Sequence, residues 1–312
     1  MEYRRNSKPM TAEERIEASK QSASVRQTLM DTMLVPYPQF RDGIKFIRKF
    51  HVPVEGGNPS AGRIGGLLGE SRVGKTEICS YFVSQNPPSY DDEGESYPVV
   101  YVQASDEMKL PSLADRICIA TGARSLTVKH KLVVDATLLR LAAAKTQLLI
   151  IDDAHFMYDG RNQTDRKNFI SFVKMVADQK LSSILLVGED SILDTISSTP
   201  TLSGRGFVYE PLHAFSKDDE KKNFRNLLLA IEDRLPFAKP SNLTDKGIAD
   251  DLHRFSGGLI GRLVNLIRQA SYLAIDDGSA QIMREHLRDA SRRLLPVHPD
   301  RSYRYFEIGA KK

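Results

Sequence analysis

The residues at positions 69–76 have the types and the spacing of a phosphate-binding loop. They read Gly69-Glu70-Ser71-Arg72-Val73-Gly74-Lys75-Thr76 and fit the pattern G-x-x-x-x-G-K-[ST] at every fixed position. The two glycines let successive backbone N–H groups face phosphate oxygens, the Lys75 ammonium can reach the β- and γ-phosphates, and the Thr76 hydroxyl can bind magnesium. We therefore expect these eight residues, together with Glu77, to bind a nucleoside triphosphate and Mg²⁺.

The sequence on either side of this loop favours a phosphate site over a chance glycine-rich turn. The apolar stretch at 64–68 reads as a strand that leads into the loop, and residues 77–83 suit a helix that leaves it. The positive end of that helix dipole would add to the field that attracts phosphate.

A second candidate group lies where the apolar run at 148–151 continues into Asp152 and Asp153. Such a run is typical of a buried parallel strand, and ligands bind at the carboxyl ends of parallel strands. Asp152 is predicted to hold magnesium directly or through water, and Asp153 to polarise the attacking water. The alternative for either acid is a structural role in capping or turning the strand end.

The composition indicates a globular protein with enough chain for a nucleotide-binding domain and a smaller appendage. The chain has 312 residues, of which 41% are hydrophobic, and a net charge of +4 that permits nucleic-acid binding without establishing it. No apolar run approaches the roughly 18 residues of a membrane helix, and no apolar core follows the basic N-terminus. We therefore expect a cytoplasmic protein that does not bind membranes. Cys79 and Cys118 lack metal-ligand spacing and are expected to be buried.

The order of apolar segments predicts an α/β core followed by helices. Strand-like segments alternate with helical ones, as a parallel sheet with crossover helices requires; they lie at 64–68, 98–103, 148–153, 183–189 and 207–212. Helical periodicity dominates from 218 to 295. Four regions follow from this pattern: a flexible N-terminal extension at 1–30, an α/β nucleotide-binding core at 31–215, a helical lid at 216–295 and a C-terminal tail at 296–312.

The tail mixes cations with aromatic residues between positions 301 and 306. Two interpretations stay open for it: a docking peptide for a partner protein, or an unstructured basic extension.

Two arginines stand where they could contact a nucleotide. Arg262 ends the segment GGLIGR at the start of a predicted lid helix and could reach the γ-phosphate. Arg205 lies between the fourth and fifth predicted strands and could reach a neighbouring subunit's nucleotide as an arginine finger. Either could instead be an ordinary solvated surface charge.

The ordered set GESRVGKT, LLIIDDAH, ILLVGE, the stretch 203–207 and GGLIGR resembles the AAA+ ATPases of the TniB/TnsC family, the target-selection regulators of Tn7-like transposons. This resemblance implies an α/β P-loop NTPase with a three-layer core, a five-stranded parallel sheet and a C-terminal helical lid. It also implies slow, switch-like hydrolysis of ATP with Mg²⁺. The implied partners are double-stranded DNA, further copies of the chain in a ring or helical filament, a transposase, and a target-selection protein or complex.

The resemblance gives each motif a role. It implies that residues 69–76 form the Walker A loop, Asp152 the Walker B acid that binds the metal, Arg205 the arginine finger, and Arg262 the second sensor. Lys75 and Asp153 join them as catalytic residues.

Two positions depart from the family pattern. Asp153 stands where the family more often has the longer Glu, so its placement of water would differ. The first sensor falls at Glu189, where a neutral polar residue is usual, or at its neighbour Gly188 or Asp190.

The resemblance also implies that DNA lies along the inner surface of the ring, against residues just after the second strand and in the following helical hairpin. The corresponding residues here are Lys109, Arg124, Thr127, Lys129 and Lys131. Contacts of these side chains with phosphates would be independent of base sequence and sensitive to salt. An ordinary solvated helix face is the alternative.

Two other functions remain open on the sequence alone. An AAA+ ATPase that remodels or signals through protein partners without DNA would share the same motifs, and DNA-dependent assembly separates the two. A phosphoryl-transfer enzyme with a small substrate is disfavoured, because no acceptor pocket is evident and because Arg205 and Arg262 suit a subunit interface better.

Overall fold

The computed structural model describes residues 6–92, 94–124, 132–180, 182–216, 221–295 and 302–307. The described residues between Gln39 and Leu212 form one compact unit, here called the core unit. Those up to Pro38, together with those from His213 onwards, form a second, here called the helical unit.

The strands of the described residues all belong to the core unit. They are β1 (Ile64–Leu68), β2 (Ser89–Asp91), β3 (Gly94–Ser96), β4 (Val99–Gln103), β5 (Leu148–Asp152), β6 (Ser183–Gly188) and β7 (Val208–Pro211). Five of them form a parallel sheet in the order β4-β5-β6-β1-β7, while β2 and β3 form a separate antiparallel hairpin. The five predicted parallel strands are thereby confirmed.

The register of this sheet brings the predicted motifs to one edge. Leu68 lies beside Gly188, and Gln103 lies beside Asp152, at the carboxyl ends of their strands. Because all five strands are parallel, the loop after β1 and the acids after β5 open at the same edge.

Helices follow the strands and continue through the helical unit. They are α1 (Ala12–Ser19), α2 (Ala23–Asp31), α3 (Pro38–His51), α4 (Lys75–Ser84), α5 (Leu110–Ala120), α6 (Val133–Ala143), α7 (Gln163–Asp178), α8 (Ser191–Ser197), α9 (Pro200–Ser203), α10 (Lys221–Glu232), α11 (Lys246–Ser256), α12 (Ile260–Asp276) and α13 (Arg284–Leu294). None of these helices is both long enough and apolar enough to cross a membrane.

The core unit has three layers. On one face of the sheet, alternate strand residues such as Ile151 and Leu186 pack with Leu113 of α5 and Phe172 of α7 in a single buried cluster. On the other face α3 lies so close that a Cβ added at Gly65 of β1 would meet the Phe50 ring at 2.6 Å. Burial on both faces explains why the strands read as continuous apolar runs.

The N-terminal residues differ from the expected flexible extension at 1–30. Helix α2 packs against α12 of the helical unit, with Arg26 and Met30 buried. The Arg26 Nε donates to the carbonyl of Pro236 at 3.1 Å, and its guanidinium lies 4.9 Å from the Phe237 ring centroid. These contacts make the segment part of the helical unit, so the division falls between Pro38 and Gln39 rather than at residue 31.

The described part of the expected tail also packs on the helical unit. Tyr305 and Phe306 are buried, and the carboxylate of Asp251 in α11 accepts hydrogen bonds from the Tyr303 hydroxyl at 2.9 Å and the Phe306 N–H at 2.8 Å. The Arg254 guanidinium lies over the Tyr303 ring at 3.6 Å. Residues 302–307 are therefore neither an unstructured extension nor an exposed peptide, whereas 296–301 and 308–312 lie outside the described residues.

Candidate nucleotide site

The loop after β1 has the backbone geometry that its glycines predict. Gly69 has φ +150°, and a Cβ there would lie 2.1 Å from the carbonyl oxygen of Leu212. The Gly69 N–H donates to the Gly188 carbonyl at 3.1 Å, which ties the loop to the end of β6. Gly74, with φ +99°, is the N-cap of α4, so that helix begins at Lys75. The resulting turn points the positive end of α4 into the loop.

Lys75 is held inside this loop. Its side chain is only 7% exposed, and its Nζ donates to the carbonyl oxygens of Gly69 at 2.6 Å and Glu70 at 2.8 Å. Burial lowers the pKa of this ammonium, while the negative charges of Asp152 and Glu189 raise it. A buried cation that contacts neutral carbonyls suits an anionic acceptor such as a phosphate oxygen, because charge-assisted hydrogen bonds are the stronger ones.

Thr76 and Asp152 are in direct contact. The Thr76 hydroxyl donates to Asp152 Oδ2 at 2.7 Å, and the Tyr101 hydroxyl donates to the same oxygen at 2.8 Å. Asp152 is fully buried; burial raises its pKa, and the hydrogen bonds from Thr76 and Tyr101 lower it. A hydroxyl and a carboxylate side by side are the hard oxygen ligands that Mg²⁺ prefers, so the residues present fit that ion.

Asp153 has a different environment from Asp152. Its backbone is left-handed, with φ 52° and ψ 33°, and its Oδ2 accepts a hydrogen bond from Gln103 Nε2 at 2.8 Å. The Gln103 carbonyl in turn accepts from Arg116 Nη1 at 2.7 Å. This half-buried carboxylate is therefore oriented by a side chain from the neighbouring strand.

Sequence reasoning missed Tyr101 and Gln103 as members of this site. Both lie on β4 and point to the same face, being two residues apart, and β4 pairs with β5. The signal that could have found them is the parallel pairing of two predicted strands that both end in polar residues.

The region of the first sensor begins where β6 ends. Gly188 is buried, and a Cβ there would lie 2.9 Å from His155 Nδ1. Glu189 and Asp190 follow as exposed residues. Glu189 is near enough to Lys75 to favour its charged form, and the identity of the first sensor stays a prediction.

The two predicted arginines lie in different units. Arg205 of the core unit donates from Nε to the carbonyl of Thr201 at 3.1 Å and forms an ion pair with Asp178 of α7. Arg262 lies half-buried in the first turn of α12 in the helical unit. Gly258 is required before it, because Gly258 has φ +76° and a Cβ there would lie 2.1 Å from the Phe215 carbonyl oxygen. Their roles as finger and second sensor stay predictions.

Two of the predicted DNA-contacting residues are described. Lys109 is the exposed N-cap of α5, and the exposed Arg124 follows the end of that helix. Thr127, Lys129 and Lys131 lie outside the described residues.

A phosphate-binding loop after β1, paired acids after β5 and a sheet with β1 between β6 and β7 define a P-loop ATPase fold of the AAA+ class. Solved structures agree. They include the ORC1 protein of Aeropyrum pernix in complex with DNA, with a TM-score of 0.59, 17% identity, and coverage of 81% of this chain and 65% of that one. Cdc6p from Pyrobaculum aerophilum gives a TM-score of 0.58 and 14% identity, over 82% of this chain and 67% of that one.

The ORC2 protein of Aeropyrum pernix in ADPNP and ADP complexes gives a TM-score of 0.55 and 17% identity, over 81% of this chain and 67% of that one. The chain thus spans about two thirds of the length of these proteins. At such identities the likeness establishes the fold alone.

The family is established by a separate comparison. A protein-family model described as bacterial TniB protein matches residues 37–217, which is more than half of the chain, and the chain belongs to this family. No curated protein matches it. The family expected from the sequence motifs is thereby confirmed.

Proposed function

We propose that the protein is an ATP-dependent, DNA-binding regulator of DNA transposition. In this proposal it assembles on double-stranded target DNA as a ring or filament, recruits a transposase, and is released when ATP is hydrolysed. The observation that carries the proposal is the contact of Thr76 with Asp152 beside a loop-bound Lys75, in a chain of the TniB family. A hydroxyl and a carboxylate at these positions are the residues that hold the metal ion of a bound nucleotide in P-loop NTPases.

Each residue of the site has a distinct role in this proposal. Lys75 and the backbone N–H groups of residues 69–77 bind the phosphates, and Thr76 with Asp152 would hold Mg²⁺, which when bound neutralises phosphate charge. Asp153, oriented by Gln103, positions the water that attacks the γ-phosphate. Arg262 contacts the nucleotide of its own chain. Arg205 would exchange Asp178 for a phosphate in the next subunit.

DNA binding is supported by two observations. The net charge of +4 favours a polyanion, and the similar fold of Aeropyrum pernix ORC1 is found in complex with DNA. Lys109 and Arg124, both exposed near the ends of α5, are proposed to contact the DNA backbone with Thr127, Lys129 and Lys131. A target-selection protein or complex would then bring the assembly to its site in the cytoplasm.

The decisive experiment is negative-stain imaging of the purified protein with a non-hydrolysable ATP analogue, with and without duplex DNA. Rings or filaments that need both nucleotide and DNA, and that are absent with Lys75→Ala, are the expected result. Assemblies indifferent to DNA would instead favour an AAA+ ATPase that acts on protein partners. Persistent monomers would contradict the role given to Arg205.

A further inference from the structure

One face of α3 carries four exposed cations: Arg41, Lys45, Arg48 and Lys49. At about 100° per residue they share an arc about 100° wide. The buried residues of this helix, such as Ile47 and Phe50, point the other way into the core unit. None of the four cations forms an ion pair with another described residue. We call this surface the basic face.

The basic face is unfavourable to the helix that carries it. Arg41 and Lys45, and again Lys45 and Lys49, are like charges four residues apart, which destabilise a helix. Arg48 and Lys49 gain from the helix dipole because they lie in the last turn. Arg41 and Lys45 have no such compensation, so an external anion would relieve the repulsion between them.

The acidic neighbours of the basic face lie on one side of it. Asp42, the one acidic residue of α3, lies about 20° beyond Lys49 at one edge of the arc. Burial raises the pKa of Glu210 in β7, and the negative charge of Asp42 raises it further, so these two carboxylates are close together. Arg41 and Arg48 lie at the other edge of the arc. A polyanion is therefore expected to approach the basic face from the side of these two arginines.

The composition of the basic face fits a phosphate backbone better than a protein surface. No large hydrophobic residue of α3, which is described throughout, is exposed, whereas the centre of a protein interface is poor in charged residues. The four cations are spread over about 12 Å of helix. They would face about three or four phosphates of one DNA strand, which carries one phosphate about every 3.4 Å. Such contacts are independent of base sequence.

The basic face and the DNA contacts proposed for α5 lie on opposite faces of the sheet. Ile64 of β1 shares a buried cluster with Leu113 of α5. The next residue, Gly65, points to the other face, where Phe50 of α3 lies against it. Duplex DNA is stiff, with a persistence length of about 150 base pairs. A duplex that lies along α3 therefore does not bend round the sheet to reach α5 of the same protomer.

We propose that the basic face binds the phosphate backbone of duplex DNA as a second DNA surface, so that one protomer holds two separate duplex segments. This inference rests on the proposed function, which places the first segment at Lys109 and Arg124. It adds a bridging role, because each protomer of an assembly on one duplex offers its basic face to another duplex.

The test is capture of a second duplex by the full chain. Immobilised duplex DNA is coated with protein and the ATP analogue, and a labelled duplex is then titrated in at several salt concentrations. Lys45→Gln with Arg48→Gln removes two cations and keeps α3 intact, because both side chains are exposed and glutamine is a good helix former. This variant should coat the first duplex as the wild type does.

Its affinity for the labelled duplex should be at least about tenfold weaker in 0.1 M salt. The slope of log K against log salt should fall in magnitude by about 1.8, because each phosphate contact contributes about 0.9. The matched control is Lys239→Gln with Arg293→Gln, which removes the same charge from exposed positions of the helical unit. The control should capture the labelled duplex with the wild-type affinity and slope.

Crosslinking locates the second duplex. The two cysteines of the chain, Cys79 and Cys118, are buried, so a thiol-specific photocrosslinker would react selectively with an exposed cysteine. Placed by Arg41→Cys, it should crosslink to the labelled duplex and not to the immobilised one. Placed by Lys239→Cys on the helical unit, it should crosslink to neither.

Three results would overturn the inference and leave the proposed function intact. The first is a wild-type chain that coats the immobilised duplex but captures no second one, and the second is an α3 variant that captures it with wild-type affinity. The third is an α3 variant that no longer coats the immobilised duplex while the control does, since the basic face would then serve the first duplex or a contact between copies. A wild-type chain that coats no DNA at all would instead contradict the proposed function itself.

Discussion

Replacing Gly69 by alanine is expected to lower the free energy of unfolding by more than backbone strain alone, because the added Cβ would also collide with a neighbouring carbonyl oxygen. Gly69 has φ +150°, and an added Cβ would lie 2.1 Å from the Leu212 carbonyl oxygen, where real Cβ atoms stay beyond 3.0 Å. That carbonyl cannot retreat easily, because the Leu212 N–H donates to the Leu68 carbonyl at 2.7 Å. Backbone strain of about 1–3 kcal/mol and overpacking of about 1–3 kcal/mol together predict a loss of about 2–6 kcal/mol.

The assay is urea unfolding of Gly69→Ala beside Gly160→Ala. Gly160 also has a positive φ, +66°, but an added Cβ there meets nothing within 4 Å, so its variant measures the cost of a positive φ without a collision. The difference between the two free energies of unfolding reports the collision with Leu212 together with the difference in backbone strain between φ +150° and φ +66°. If the two variants agree to within about 0.5 kcal/mol, the usual additivity error, the close approach of this loop to the end of β7 is refuted. Binding of a fluorescent ATP analogue should be lost in Gly69→Ala and kept in Gly160→Ala.

Three further changes have expected outcomes. Thr76→Val keeps the side-chain shape but removes the donor to Asp152. Titration with a fluorescent nucleotide should show that the gain in nucleotide affinity on adding Mg²⁺ is about tenfold smaller than in the wild type. An unchanged gain would contradict the role of the hydroxyl. Burial lowers the pKa of His51 from 6.5, so the unfolded chain takes up a proton first as the pH falls below that value. Urea unfolding should show that the free energy of unfolding falls by up to about 1.4 kcal/mol per pH unit in this range. The variant His51→Gln should show a smaller dependence on pH. Asp251→Ala removes the acceptor for Tyr303 and Phe306 and should speed tryptic cleavage after Arg304, whereas the exposed neighbour Asp250→Ala should not.

The parallel sheet could be predicted because its signals are local. Residues 64–68 and 148–152 are buried at every position, so their apolar runs follow directly from burial on both faces. The order of the strands could not be predicted, since it depends on contacts between distant segments. The packing of α2 was missed for a related reason: its amphipathic signal is weak, and the partners of Arg26 lie some 210 residues away.

The residues of the candidate site also fall into two groups: those with a local sequence signal and those without one. Residues 69–76 and Asp152 could be identified from the sequence, because each phosphate or metal contact needs a particular residue type at a fixed local spacing. Tyr101 and Gln103 carry no such local signature. Their place in the site follows from the pairing of β4 with β5, which only the folded chain shows.

The carboxyl edge of the sheet works as one connected set of hydrogen bonds. Gln103 of β4 donates to Asp153, the Thr76 hydroxyl joins α4 to Asp152, and the Gly69 N–H joins the loop to the Gly188 carbonyl. Gly188 can accept this bond while His155 packs beside it, because any side chain there would collide with the imidazole. Each strand end from β4 to β1 is thereby held by a neighbour, so the two acids and the lysine keep their mutual positions before any ligand binds. Such preorganisation is what electrostatic stabilisation of a transferring phosphoryl group requires.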